Sequence, residues 1–166
     1  MKIGELEFLP IDLEKHQDVC LKFREDSFVV SFGSAASFYG SDGEGAERYL
    51  EWLKQRMSEI PGSCVHVWDG EHIIGQIEMR KSRDDAQAGY VNLFYLIPEC
   101  RGKGLGSLLD EYAAMFFKRF GCKAARLSVS PTNSAAVKFY IKHGWKDLGM
   151  REDRTEVHIM EKQYVS

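Results

Sequence analysis

The stretch from Tyr90 to Val129 limits most tightly how this chain can fold. Tyr90 to Ile97 is nearly all apolar and stops at Pro98, as expected of a central strand buried on both faces. Leu105, Leu108, Leu109, Tyr112, Phe116 and Phe120 then recur at three- and four-residue steps, which predicts an amphipathic helix. Gly121 is its natural C-terminal stop. Ala125, Leu127 and Val129 alternate with Arg126, Ser128 and Ser130, which predicts a second strand. A strand, a helix and a strand in this order imply a parallel pair joined by a right-handed crossover.

The flanking segments imply antiparallel neighbours. Ile3 to Leu9 reads as a strand, and Asp12 as the N-cap of a helix running to about Phe28. Ser31 to Gly45 is rich in Gly, Ser and Ala and reads as a loop. A second helix, about Ala46 to Ile60, carries Tyr49, Leu50, Leu53 and Met57 at helical spacing and ends at Pro61-Gly62. Cys64 to Trp68 and Ile73 to Arg80 flank Asp69-Gly70, a hairpin signal. Ser134 to His143 reads as a short helix closed by Gly144, and Trp145 to Val165 as two strands turning near Asp153-Arg154. The sheet is therefore mixed.

With 166 residues and no linker or repeat, residues 1–166 read as one domain. A net charge of -3, with Lys and Arg spread along the chain, argues against a nucleic-acid partner, which needs a clustered basic face. Cys20, Cys64, Cys100 and Cys122 form no C-x-x-C pair and read as free thiols. His16, His66, His72, His143 and His158 lack metal-ligand spacing, so no metal is expected. Charged residues throughout the first twenty positions, and no apolar run of about 20 residues, point away from a leader or a membrane span. The expected location is cytoplasmic.

The chemistry concentrates in Pro98-Glu99-Cys100-Arg101-Gly102-Lys103-Gly104-Leu105-Gly106-Ser107, between the buried strand and the long helix. Glycines let backbone amides approach a ligand closely, and a helix N-terminus favours anions. Arg101 and Lys103 add positive charge, so a phosphate-bearing cofactor is the natural inference. The dinucleotide fingerprint fails because Ser107 stands where its third glycine belongs. By itself the loop could equally be a plain chain reversal.

It is followed by Asn133-Ser134-Ala135-Ala136-Val137-Lys138-Phe139-Tyr140-Ile141-Lys142-His143-Gly144-Trp145. Together the two segments resemble the GNAT superfamily of acyl-CoA-dependent N-acyltransferases. Arg101 to Gly106 matches that family's R/Q-x-x-G-x-G/A loop. Asn133 to Gly144 matches its N-x-x-A-x-x-F-Y-x-x-x-G-F pattern, with Trp145 replacing Phe. The element order agrees from about Ile3 to Val165. The resemblance implies an α+β fold, a mixed, mostly antiparallel sheet of six or seven strands with helices on both faces.

It also implies roles. Arg101, Gly102, Lys103, Gly104, Leu105, Gly106 and Ser107 would cradle the pyrophosphate of acetyl-CoA. Main-chain groups of Phe94, Tyr95 and Leu96 would pair with the pantetheine arm, one amide polarising the thioester carbonyl. Asn133 would bond the cofactor or cap its helix, roles that can coexist. Tyr140 is the first candidate for a catalytic side chain, giving a proton or hydrogen bond to the departing thiolate; the plain alternative is a core tyrosine. Glu78 is the candidate base, against a solvated residue or an ion pair with Arg80. Asn92, polar within a buried strand, should have a partner and could orient water. Cys100 lacks a His partner. Lys138 and Lys142 could meet the cofactor's 3′-phosphate or simply face solvent, and Phe32, Phe38 and Tyr39 could line a pocket or pack as a lid.

The implied activity is acetyl transfer from acetyl-CoA to a primary amine, of a small molecule in the first reading. Alternatives are a protein N-terminal or lysine acetyltransferase and a non-catalytic coenzyme-A-binding module. Glu25, Asp26, Asp42 and Glu44 would suit a cationic acceptor. The resemblance allows a homodimer, although no interface is legible.

Overall fold

Eight strands form one sheet in the order β1-β2-β3-β4-β5-β6-β8-β7 in the computed structural model, which describes residues 1–164. The strands are β1 (Lys2–Ile3), β2 (Leu6–Pro10), β3 (Cys64–Asp69), β4 (His72–Lys81), β5 (Ala88–Leu96), β6 (Ala124–Val129), β7 (Lys146–Met150) and β8 (His158–Gln163). The helices are α1 (Leu13–Phe32), α2 (Ala36–Tyr39), α3 (Gly45–Glu59), α4 (Gly106–Arg119) and α5 (Ser134–Lys142). All neighbours pair antiparallel except β5 and β6, which are parallel.

The sheet is one strand wider than the sequence suggests. Ile3 to Leu9 is not one strand: Gly4 takes a φ of +59°, and the chain reverses there to make the β1–β2 hairpin. Left-handed backbone of this kind is cheap only for glycine. Two further boundaries moved. α1 continues to Phe32, ended by Gly33 with its N–H bonded to the Val29 carbonyl. The loop after it contains α2, because Phe38 is drawn into the core against Tyr49. Val165, where the tail strand was expected to end, lies outside the described residues.

Period-two alternation sorts the strands' side chains onto two faces. On one, Leu6, Phe8, Val65, Val67, Ile77, Met79, Val91 and Leu127 pack with Leu109, Ala113, Phe116 and Phe117 of α4, joined by Ala136, Val137 and Tyr140 of α5. On the other, Cys64, Leu93 and Tyr95 lie beneath α1 and α3, through Cys20, Phe23, Tyr49 and Leu53. The second face also buries His66, Gln76 and Glu78.

Candidate active site

The site begins where the parallel pair comes apart. β5 and β6 pair from Ala88↔Ala124 to Val91↔Leu127 and no further, although both strands continue, to Leu96 and Val129. Beyond Val91 a wedge opens in the middle of the sheet. Next to its apex β5 also slips against β4: Leu93 lies opposite Glu78 but Val91 opposite Met79, so Asn92 is the extra residue of a bulge. Its Oδ1 is buried and has no protein partner. Among the described residues, Oδ1 therefore lacks the partner expected from the sequence.

The ladder fixes which main-chain groups face the wedge. Ile97 donates to the Ile74 carbonyl at 2.8 Å. Bonded pairs alternate along an antiparallel ladder, so Tyr95 bonds with its opposite Gln76, and Leu93 with Glu78. Phe94 and Leu96 consequently turn their N–H and C=O groups away from β4, into the wedge. Of the three residues expected to offer main-chain groups, Phe94 and Leu96 do so, and Tyr95 is occupied by β4. The Leu96 carbonyl is taken by Arg101 Nε at 2.8 Å.

The wedge leads to the glycine loop. Gly102 and Gly104 have φ of +72° and +83° with open space around them, and α4 starts at Gly106 with no side-chain cap. Its first-turn amides are therefore not consumed by a capping side chain. Gly106 has a packing reason as well: a Cβ there would meet the Phe139 ring of α5 at 2.8 Å. Ser107 Oγ bonds back to the Gly104 carbonyl at 2.8 Å and steadies the turn. Lys103 is exposed. The Arg101 guanidinium points elsewhere than expected, to Asp26 of α1 at 2.7 Å and over the Tyr95 ring.

Tyr140 stands beside the wedge on α5, its ring 6.2 Å from Phe94 and 5.9 Å from Trp145. Among the described residues its hydroxyl has no hydrogen-bond partner. Burial, with Asp110 adding to it, pushes its pKa above that of an ordinary phenol, so it keeps a proton that it can donate. Trp145 is fixed by Asp110, which accepts from the indole at 2.9 Å and from Lys162 at 2.6 Å. Asn133 caps α5, accepting from the Ala136 amide at 3.3 Å. Lys138 and Lys142 are exposed.

Glu78 is neither solvated nor paired with Arg80. Its exposure is 0%, and Arg24 at 2.8 Å, Tyr49 at 2.5 Å and Gln76 at 2.6 Å all donate to its carboxylate. Gln76 Oε1 meets His66 at 2.8 Å, and Cys20 lies against the same imidazole. Burial holds His66 down to about 4 and pushes the Cys20 and Cys64 thiols up to about 12. Arg24, Tyr49 and His66 went unread in the sequence because their partners lie 10 to 54 positions away. A carboxylate enclosed in this way has no open side for a substrate.

The acidic residues expected to attract a cation are largely engaged. Asp26 bonds Tyr95 and Arg101, Asp42 pairs with Arg48 at 2.6 Å, and the Tyr39 hydroxyl donates to Glu25. Phe38 is core, while Phe32 stays exposed with Arg154 of the β7–β8 connection over its ring. No metal-binding cluster of His, Cys, Asp and Glu occurs among the described residues, and no described helix is long and apolar enough to cross a membrane.

Comparison with known proteins places this geometry. The model of the Acetyltransferase (GNAT) family matches residues 26–145, more than half of the chain. The mycothiol acetyltransferase of Geodermatophilus obscurus is 26% identical over 117 residues, a match covering 66% of this chain and 38% of that protein. Among solved structures, the PaiA N-acetyltransferase of Thermoplasma acidophilum in complex with coenzyme A superimposes with a TM-score of 0.73 at 23% identity, covering 97% of this chain and 100% of that one. The spermidine N-acetyltransferase of Vibrio cholerae, in complex with CoA and spermine, gives a TM-score of 0.73 at 16% identity over 96% and 95%.

Proposed function

The chain belongs to the acetyltransferase (GNAT) family, and on that premise we propose that it moves an acetyl group from acetyl-CoA to a primary amine of a small molecule by direct attack. The observation that supports this most is the wedge: the main-chain groups of Phe94 and the N–H of Leu96, turned away from β4, run from the closed apex at Val91 to the uncapped start of α4. A thin chain with a reactive end and a phosphate-bearing end matches both ends of that track.

In this reading the pantetheine arm bonds Phe94 and Leu96 as a strand would. Amides of Gly102, Gly104, Leu105, Gly106 and Ser107 take the pyrophosphate, with Lys103 as the nearby cation. Arg101 holds the loop to α1 rather than meeting phosphate, and Asn133 serves as cap. The amine nitrogen attacks the thioester carbon, and a free strand amide at the apex stabilises the oxyanion. The carbon–sulfur bond then breaks, and the sulfur takes the Tyr140 proton. The nitrogen's surplus proton leaves through water at the apex, where Asn92 Oδ1 can accept a hydrogen bond. Glu78 positions β4 and α1 and does not touch the amine.

Calorimetric titration of acetyl-CoA tests the cofactor site, with Gly104→Glu alongside. Saturable binding by the wild type and a loss of at least about 100-fold in the variant are expected, since a carboxylate would face the pyrophosphate from left-handed backbone. A folded wild type that binds no acetyl-CoA would refute the reading.

A further inference from the structure

We infer that the acceptor amine also bears an acidic oxyanion group, a carboxylate in the simplest case, and that Arg80 receives it; this rests on the acetyl-transfer reading above. The register sets Arg80 of β4 opposite Tyr90 of β5, and Tyr90 opposite Arg126 of β6. Directly opposed residues of neighbouring strands share a face, so the three side chains form a row across the sheet. The row lies one step before the last β5–β6 rung, Val91↔Leu127. It therefore borders the apex where the acyl carbon is placed. Arg151, from the β7–β8 connection, reaches the same place, donating to Ser128 at 3.0 Å and lying 3.5 Å from the Tyr90 hydroxyl.

The charges in this row do not balance. Arg126 is matched by Glu161 at 2.8 Å and Asp85 at 3.4 Å, Arg151 by Asp153 at 2.5 Å, and Arg56 by Glu59 at 3.1 Å. Arg80 is half-buried, yet no carboxylate lies within salt-bridge distance of it among the described residues. Its guanidinium rests 4.2 Å from the Tyr90 ring centre and donates to the Lys81 carbonyl, and its Nε is buried with no partner. Burial first, then the like charges of Arg83, Arg56 and Arg151, pull its pKa below the usual arginine value against the opposing influence of Tyr90. A cavity of about 200 Å³ lined by Arg56, Arg80 and Lys81, with Glu59, the partner of Arg56, also at its wall, opens beside it.

A half-buried cation with no carboxylate partner among the described residues, facing like charges, is a receptor for a planar anion. The cofactor's phosphates do not fit the role. Tyr90 and Leu96 are six residues apart on β5, about 20 Å, and the glycine loop lies beyond Leu96. The remaining molecule at the apex is the acceptor.

The test compares amines matched in shape and different in charge: 4-aminobutyrate with butylamine, and α-amino acids with their methyl esters. Coenzyme A release is followed for the wild type, Arg80→Gln and the exposed control Arg83→Gln. At least a 10-fold preference in kcat/KM for the acid-bearing partner of a pair is expected. Arg80→Gln should abolish the preference through KM, leaving acetyl-CoA affinity and turnover of the neutral amine unchanged, and Arg83→Gln should keep it. Equal use of both partners by the wild type, or a preference that survives Arg80→Gln, would overturn the inference. If Arg80→Gln does not fold, Arg80→Lys replaces it: the charge stays, the two-pronged geometry goes, and the preference should fall several-fold. Binding of 4-aminobutyrate and butylamine is also read by ligand-observed NMR. Failure of acetyl-CoA to bind strikes the acetyl-transfer reading; acetyl-CoA binding with no discrimination between these probes strikes this inference alone.

Discussion

The two sides of β5 handle polar groups in opposite ways. On the β4 side, beneath α1 and α3, Glu78, Gln76, Tyr49, Arg24 and His66 are buried and bonded to one another. On the β6 side, the amides facing the wedge, Asn92 Oδ1 and the Tyr140 hydroxyl lack protein partners among the described residues. Buried polar groups are nearly always bonded. The first cluster closes around Glu78, whose carboxylate accepts from three side chains, while Arg24 Nε and His66 Nδ1 have no partner among the described residues. The second leaves its groups open, and in the acetyl-transfer reading these are the groups a ligand would meet.

Removing one member of the bonded cluster should cost the most. Glu78→Ala leaves Arg24 buried without its carboxylate, and a loss of about 3–5 kcal/mol is expected in denaturant unfolding. The double variant Glu78→Met with Arg24→Met should recover much of it. If Glu78→Ala instead kept full stability and lost only activity, the division between the two sides would fail.

Acid should attack the same cluster through His66. Its folded pKa, about 4, lies below the unfolded value of about 6.5. The unfolded chain therefore binds the proton first, and stability is full above pH 6.5 and lost as pH falls toward 4. Up to about 3 kcal/mol is at stake. His66→Gln should flatten that limb of a stability–pH curve, and an unchanged curve would show the imidazole is not the titrating group.

Tyr140→Phe addresses the open side. A fall in kcat of roughly 10²-fold is expected, with acetyl-CoA affinity and thermal midpoint unchanged, since the hydroxyl bonds nothing in the chain. Unchanged turnover would remove Tyr140 from the chemistry. The smallest effect belongs to Asn133→Ala, about 1 kcal/mol of stability for a lost cap; a much larger loss of acetyl-CoA affinity would give Asn133 the cofactor contact instead.

The open side was the legible one. Its parts lie within contiguous segments, Tyr90 to Ser107 and Asn133 to Trp145, where periodicity, glycine and proline speak directly. The bonded cluster was not, because it is assembled from α1, α3, β3 and β4, and nothing near Glu78 in the sequence announces Arg24. The same limit explains Arg101, whose partner Asp26 lies 75 positions away. Gly4 and Phe38 were misjudged for a local reason: a left-handed glycine and one buried ring turned an apparent strand and loop into a hairpin and a helix.

The four-rung junction of β5 and β6 also bears on how the molecule avoids its own kind. An unpaired strand edge invites polypeptide to add to it, and here such an edge lies inside the sheet. Because the gap is shut at Val91 and Leu127, an intruding peptide cannot run through; it would have to end there. Only a molecule that is slender and terminates in its working group can follow the edge to its closed end. The shape that would admit the cofactor thus keeps another copy of the chain from threading a strand through the gap.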